Sequence, residues 1–496
     1  MIGLLVAAIV AASEPLEIVI DSARVRAPVN VRGLGINLDY LVDDDSNRPV
    51  GSRPLTAALA EIGVRVLRYP GGDKSDSYLW SVPPYDRAVP ALTVAGDWDW
   101  PAMDHTLLMP DRRTWKTHPL DFDAFMRVAR AAGVEATIVV AVDTGFQAAD
   151  AHHEAVPMDM LIRTAAEWVR YAKASGFPVR CWEVGNESFF HVGARRYADT
   201  LVEFAKAMKA ADPDARIGAV GVYGEDVGRE DGKAGCQDPW NRVVLETAGE
   251  YLDYLIVHDY PNWGWKSYAG YLDRDPDFTR GIRKTRDAIL KWAPAVPRTG
   301  PLSNPTTDST PRKRIRVALT EYGAIDYEKG SWANVSDLGH ALLLTNMIGQ
   351  YLAEPALDFA TMWNTRWAKL ETPAAVHDAL APDNALTPTG LALAVWSKCL
   401  GEEMLDVVDG RLLKVFATRT PATGVLRIVL INKAEAARQL PIIIKGAVRA
   451  AGERWELSGT GPGDLHPAWR KTGPVSIEGG RVLLDLPPVS LTAILL

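Results

Sequence analysis

The chain has 496 residues, 47% hydrophobic and 23% charged, with a formal net charge of −8. This is too long for one ordinary core and suits a large barrel with a smaller companion domain. The acidic balance excludes a nucleic-acid partner, since no surplus of Lys and Arg is there to neutralise phosphates, and gives no reason to expect a membrane surface; an uncharged polymer fits better.

The chain opens MIGLLVAAIVAASEP. Residues 2–12 are apolar, and the small residues Ala11 and Ser13 precede Glu14. This reads as a signal peptide over residues 1–13, cut after Ser13, and predicts a secreted or periplasmic protein. The run is too short to span a bilayer. Residues 14–32, including LEIVIDSARVRAPVNV, are strand-like and are expected to join a terminal sandwich before the chain enters the barrel.

From residue 33 to 400, strand-like runs alternate with helical patterns. The strands are expected at 33–38, 64–69, 135–142, 179–184, 216–222, 254–260, 315–322 and 358–364. Between them, LDFDAFMRVARAAG and LIRTAAEWVRYAKASG place apolar residues on one helical face and stop at Gly133 and Gly176. Eight strand-helix units predict an α/β fold of the (β/α)₈ TIM-barrel type; a doubly wound open sheet would give the same local alternation, and the count of eight favours the barrel. Residues 73–118 form a Trp-, Tyr-, Pro- and Asp-rich insertion, and residues 293–312 a Pro- and Thr-rich excursion. After residue 401 the helical patterns stop, and turn-separated strands predict a C-terminal β-sandwich over 401–496.

In a (β/α)₈ barrel the chemistry lies where the strands end, on one rim. Read that way, strand one offers Asn37 and Asp39, strand two Arg68 followed by Gly71-Gly72, and strand four Asn186-Glu187. Strand six offers His258 and Tyr260, strand seven Glu321, and strand eight Trp363. Two glutamates on opposed strands, in an aromatic cleft, are what glycoside hydrolysis needs: one protonated to release the leaving oxygen, one ionised to attack the anomeric carbon. Arg68 and Tyr260 are expected beside Glu321, holding it ionised. Phe189 and Phe190 are expected to desolvate Glu187 and favour its acid form. Glu187 is thus read as acid/base and Glu321 as nucleophile. Asn186, Arg68, His258, Tyr260, Trp363, Asn37 and Asp39 are read as substrate-binding, and Glu183 as half of a buried ion pair. Gly71-Gly72 is read as a tight turn, since no phosphate-binding signature follows. The 16 Trp include candidates for stacking on sugar rings. AHHE at 151–154 has no third ligand at metal spacing, and Cys181, Cys236 and Cys399 are too scattered for a disulfide framework or a zinc site.

WEVGNE at 182–187 with LTEYG at 319–323 resembles the clan A glycoside hydrolases. In that clan the acid/base follows Asn after strand four, and the nucleophile follows strand seven. LRYPGGDKSDSYLW, LDFDAFMRVARAAG and HDYP are most similar to the family 51 α-L-arabinofuranosidases and related enzymes. The resemblance implies hydrolysis with retention, a carbohydrate substrate, and neither metal nor organic cofactor. One departure stands out. That family carries a sugar-binding Glu after strand one, where GLGINLDY offers Asn37 and Asp39. An endo-β-glucanase or xylanase of the same clan therefore stays open, as does a non-catalytic carbohydrate-binding protein on the same fold.

Overall fold

The computed structural model describes residues 17–93, 115–148, 155–224, 239–294, 315–326, 328–367, 374–446 and 449–496. The N-terminal run to Ser13, the AHHE segment, Cys236, residues 94–114 of the 73–118 insertion and most of the 293–312 segment lie outside the described residues.

Two short strands, β1 (Ile18–Asp21) and β2 (Val25–Pro28), precede the barrel. The chain then forms β3 (Gly35–Asn37) and β4 (Val66–Tyr69). A small hairpin follows, β5 (Tyr78–Leu79) with β6 (Ala91–Leu92). Next come β7 (Glu135–Val140), β8 (Val179–Val184) and β9 (Ile217–Val220). The barrel strands end with β10 (Tyr254–Asp259), β11 (Arg316–Tyr322) and β12 (Leu357–Met362). Leaving out the hairpin, β3 to β12 pair in parallel and close into an eight-stranded barrel. The strands are buried almost end to end because their outer faces are covered by helices. Val66, Cys181, Tyr254, Ile256, Ala318 and Phe359 form an apolar cluster of their own, drawn from five of these strands.

The helices start and stop where their end residues dictate. Asp121 accepts the amide of Ala124 at the start of Phe122–Ala132, and Gly133 closes it with φ +66°. Asp337 caps Leu338–Leu352 in the same way, and Thr387-Pro388 opens Pro388–Cys399.

Eight further strands follow: β13 (Glu403–Leu405), β14 (Leu413–Thr420), β15 (Val425–Asn432), β16 (Arg438–Lys445), β17 (Ala451–Ser458), β18 (Ala468–Ser476), β19 (Arg481–Leu486) and β20 (Ser490–Leu495). They make two sheets, one ordered β18-β17-β20-β15-β14-β13-β2 and the other β1-β16-β19. Ile18, Ile20, Ile442 and Leu484 meet Leu413, Val415, Ile428 and Ile494 in the core between them. The other face of β14 and β15, with Phe416, Val429 and Ile431, joins the barrel's core, where Phe416 meets Trp396 edge to face. The fold is thus a (β/α)₈ barrel with a C-terminal β-sandwich, and β1 and β2 each lie at the edge of one sandwich sheet.

Candidate active site

Arg68 is the hub of the barrel mouth. It is fully buried and spends its guanidinium on four side chains from three strand ends. Nε donates to Glu183 Oε2 at 2.9 Å, one terminal nitrogen to Glu321 Oε1 at 2.8 Å and Asn37 Oδ1 at 3.1 Å, and the other to Asn186 Oδ1 at 2.9 Å. Burial pulls its pKa down, but Glu183 and Glu321 outweigh it and hold the group above its usual value. Thr137 donates to the other oxygen of Glu183 at 3.1 Å, so Glu183 is enclosed as a support for Arg68.

Glu321, at the end of β11, accepts from two sides. Arg68 reaches Oε1, and the Tyr260 hydroxyl donates to Oε2 at 2.7 Å. A cation and a phenol are the partners of a carboxylate. Across the mouth, Glu187 follows β8 in a left-handed turn, φ +48°. That turn needs Gly185, whose φ is +85° and whose missing Cβ would strike Val142 and Asp143. The side chain of Glu187 is 25% exposed, that of Glu321 8%.

His258 joins the two acids. Its Nδ1 lies 3.0 Å from Glu187 Oε1 and 3.6 Å from Glu321 Oε2, and its Nε2 lies 3.2 Å from Thr320 Oγ1. Those two contacts cap the gap between the carboxylate oxygens at about 6.6 Å, the sum of 3.0 and 3.6. The geometry depends on a register shift in the β10–β11 ladder. Val257 pairs with Leu319, but the next residue, His258, pairs with Glu321. The bulge turns both side chains to the same space. Burial lowers the imidazole pKa; Glu321 and then Glu187 overcome that and leave it raised.

Asn186 is held at both ends, accepting from Arg68 and donating to Asp73 Oδ1 at 2.9 Å. Its backbone amide donates to Asp143 Oδ2 at 3.1 Å. Asp143 faces a second buried carboxyl, Asp76, and both are raised, first by burial. Phe189 is buried against Trp240, and Phe190 is largely exposed.

Three sequence candidates stand back from the opening. Asn37 is fully buried; its amide donates to the carbonyls of Thr320 and Met362 at 2.9 and 3.1 Å and accepts from Arg68. Asp39 is fully buried and ion-paired with Lys74. Trp363 is 4% exposed, lies under the Gly71-Gly72 turn, and takes Lys74 over its ring at 5.3 Å. The turn itself has φ +79° and +62°, and a Cβ on Gly72 would overlap the Trp363 indole. Asp73, Asp76 and Asp143 are additions that the strand-end reading missed. Asp73 was legible as the first polar residue after a glycine pair at a strand end, but it was absorbed into the long insertion.

Comparison with known proteins follows the same line. A family model described as an alpha-L-arabinofuranosidase 1 domain matches residues 58–274. An intracellular exo-alpha-(1->5)-L-arabinofuranosidase of Halalkalibacterium halodurans is 25% identical over 234 residues, covering 45% of this chain and 42% of that protein. The chain spans about half the length of the curated relatives it matches. Among solved structures, alpha-L-arabinofuranosidase from Thermotoga maritima superposes with a TM-score of 0.68 at 18% identity, covering 97% of this chain and 99% of that one. CelM2, a bifunctional glucanase-xylanase from a metagenome library, superposes with a TM-score of 0.63 at 16% identity, covering 96% and 98%. Fold and sequence make the chain similar to the clan A glycoside hydrolases. Within that clan it resembles the family 51 α-L-arabinofuranosidases.

The expectation of export is corrected by these relatives. The curated arabinofuranosidases that match are named intracellular enzymes, so the apolar N-terminal run does not mark this chain as secreted or periplasmic. A short apolar stretch without a basic residue before it satisfies only part of the export pattern. Among the described residues, no helix is long and apolar enough to cross a membrane.

Proposed function

We propose that this protein is a retaining glycoside hydrolase that releases α-L-arabinofuranosyl groups, with Glu187 as acid/base and Glu321 as nucleophile. The observation that carries this reading is the single His258 nitrogen in reach of both acids. A gap of at most about 6.6 Å fits the roughly 5–5.5 Å of retaining enzymes, and inverting enzymes need about 6.5–9.5 Å to admit a water.

In the first step Glu187 gives its proton to the glycosidic oxygen as the anomeric C–O bond breaks, and an oxygen of Glu321 bonds to the anomeric carbon. Water then attacks that carbon, Glu187 takes the water's proton, and Glu321 leaves as a carboxylate. Arg68 and Tyr260 receive the charge that returns to Glu321. Asn186, fixed between Arg68 and Asp73, keeps one amide hydrogen for a sugar hydroxyl. The relatives that match by sequence are named for arabinofuranosides, which favours that substrate over the glucan or xylan of the endo-acting alternative. Two opposed acids linked by one imidazole argue against a binding protein without turnover.

The test is a leaving-group series. Glu187→Ala should lose about 10²–10⁴-fold on an arabino-oligosaccharide, and far less on a dinitrophenyl arabinofuranoside, whose leaving group needs no proton. Equal losses on both would reject Glu187 as the acid.

A further inference from the structure

Behind the turn that presents Glu187 lie two acids that the chemistry above does not use. Asp76 belongs to the short helical turn Asp73–Ser77 after β4, and Asp143 opens another, Asp143–Phe146, after β7. Both are buried. Oδ1 of each is enclosed and receives no hydrogen bond from an N–H or a hydroxyl among the described residues. The two carboxyl groups lie within hydrogen-bonding reach of each other. Two carboxylates there would repel, and neither could donate; one proton between them turns the contact into a hydrogen bond. The surroundings favour that proton. Burial first, then the charges of Asp143 and Asp73, hold Asp76 well above the ordinary carboxyl range, and Glu187 adds to the rise. Burial also raises Asp143, against the pull of His191. Lys74, the cation of the first turn, pairs with Asp39 instead.

What the two acids hold is the segment that carries Glu187. Asp143 Oδ2 accepts the backbone N–H of Asn186 at 3.1 Å. Asp76 Oδ2 lies 3.7 Å from Nε2 of His191, the residue that follows the turn Ser188–Phe190. Glu187 sits between these two anchors. Its φ of +48° is unfavourable for a residue with a Cβ and persists only where the surroundings impose it.

We propose that Asp76 and Asp143 are a positioning pair that shares one proton and clamps residues 186–191, aiming Glu187 at the glycosidic oxygen. The inference rests on the glycosidase reading above and adds to it what sets the acid in place. Neither carboxyl touches the sugar; they act through the backbone of Asn186 and the ring of His191. Losing the shared proton puts two like charges in contact and loosens the turn.

The experiment applies the leaving-group comparison to variants of the pair. Asp143→Ala removes the acceptor of the Asn186 amide. Its kcat/KM should fall at least about tenfold further on an arabino-oligosaccharide, which needs the acid, than on a dinitrophenyl arabinofuranoside, which does not. Asp143→Asn keeps a carbonyl for that amide and an N–H for Asp76, and should recover most of the difference. A thermal midpoint series isolates the proton. A carboxyl raised by the fold stabilises it fully below its ordinary value, and that contribution is lost as pH climbs through the folded value. Asp76→Asn replaces the shared proton with a permanent N–H, so its midpoint should fall less than that of wild type between about pH 5 and pH 8. Should D143A not fold, the D76N series decides alone. D143A equally impaired on both substrates, D143N as poor as D143A, or D76N with the wild-type slope overturns this inference alone. Wild-type protein that releases nitrophenol from no glycoside of a broad panel, or releases it as well with Glu321→Gln, overturns the glycosidase reading and the positioning role with it.

Discussion

Tyr260 is the most direct test of how Glu321 is held. Its hydroxyl donates to that carboxylate at 2.7 Å, and Tyr260→Phe removes this hydrogen bond to a charged group while keeping the ring. Such bonds contribute about 1.5–3 kcal/mol, so kcat/KM should fall about ten- to a hundredfold, with the thermal midpoint almost unchanged. Arg68 behaves differently. Arg68→Ala leaves Glu183 buried without its cation and should destabilise the fold by about 3–5 kcal/mol, which chemical denaturation would register before any assay did. At this scale the sequence was partly legible. The Asn-Glu and Glu-Tyr-Gly strand ends mark where acids gather, because the barrel fixes which end of a strand carries chemistry. Depth was not legible. Asn37 pairs in register with Arg68, one layer below the opening, and the stagger of neighbouring strands that sets this depth is a property of the closed barrel.

At the scale of elements, the proposed active site depends on two local departures from regularity, the β10–β11 bulge and the left-handed turn at Glu187. Gly185 is what allows the second. Gly185→Ala would force a Cβ into Val142 and Asp143 at a φ of +85°, displacing the turn that presents Glu187. We expect at least a tenfold loss of kcat, from misplacement of the acid, together with a lower thermal midpoint; an unaffected kcat would mean that Glu187 is positioned from elsewhere. The strands and long helices were legible from their periodicity. The bulge was not, since VHDYP reads as an ordinary strand end and only pairing with β11 reveals the shifted residue.

The molecule as a whole should be most stable on the acid side of neutrality. Asp73 and Asp259 are pushed up to about 7, and Asp76 and Asp143 are also raised, in each case first by burial. A carboxyl with a higher pKa in the fold than its ordinary 3.8 binds its proton more tightly when folded. Its stabilising contribution is full below that ordinary value and declines as pH rises through the folded one. His258, raised above 6.5, acts in the same direction, its contribution being lost as pH climbs through its folded value. Asp358 opposes them only in strong acid: against burial, Arg180 and Arg316 hold it down. The thermal midpoint should therefore peak near pH 4–5 and fall steadily toward pH 8, which a calorimetric series would show; a rising midpoint over that range would contradict it. The two domains should melt together, because Phe416 carries the sandwich into the barrel's core against Trp396. Phe416→Ala should cost about 3–5 kcal/mol and separate the transition into two.

The pairing of β1 with β16 sets the order in which the chain can be finished. Ile18 lies beside Ile442 in a parallel ladder, so β1 is made 442 − 18 = 424 residues before the strand it pairs with. At about 5–20 residues per second of synthesis, the opening strand waits on the order of 20–80 s before its neighbour leaves the ribosome. The barrel can close during that interval, but the outer sheet cannot, and an apolar edge stays open to other nascent chains throughout.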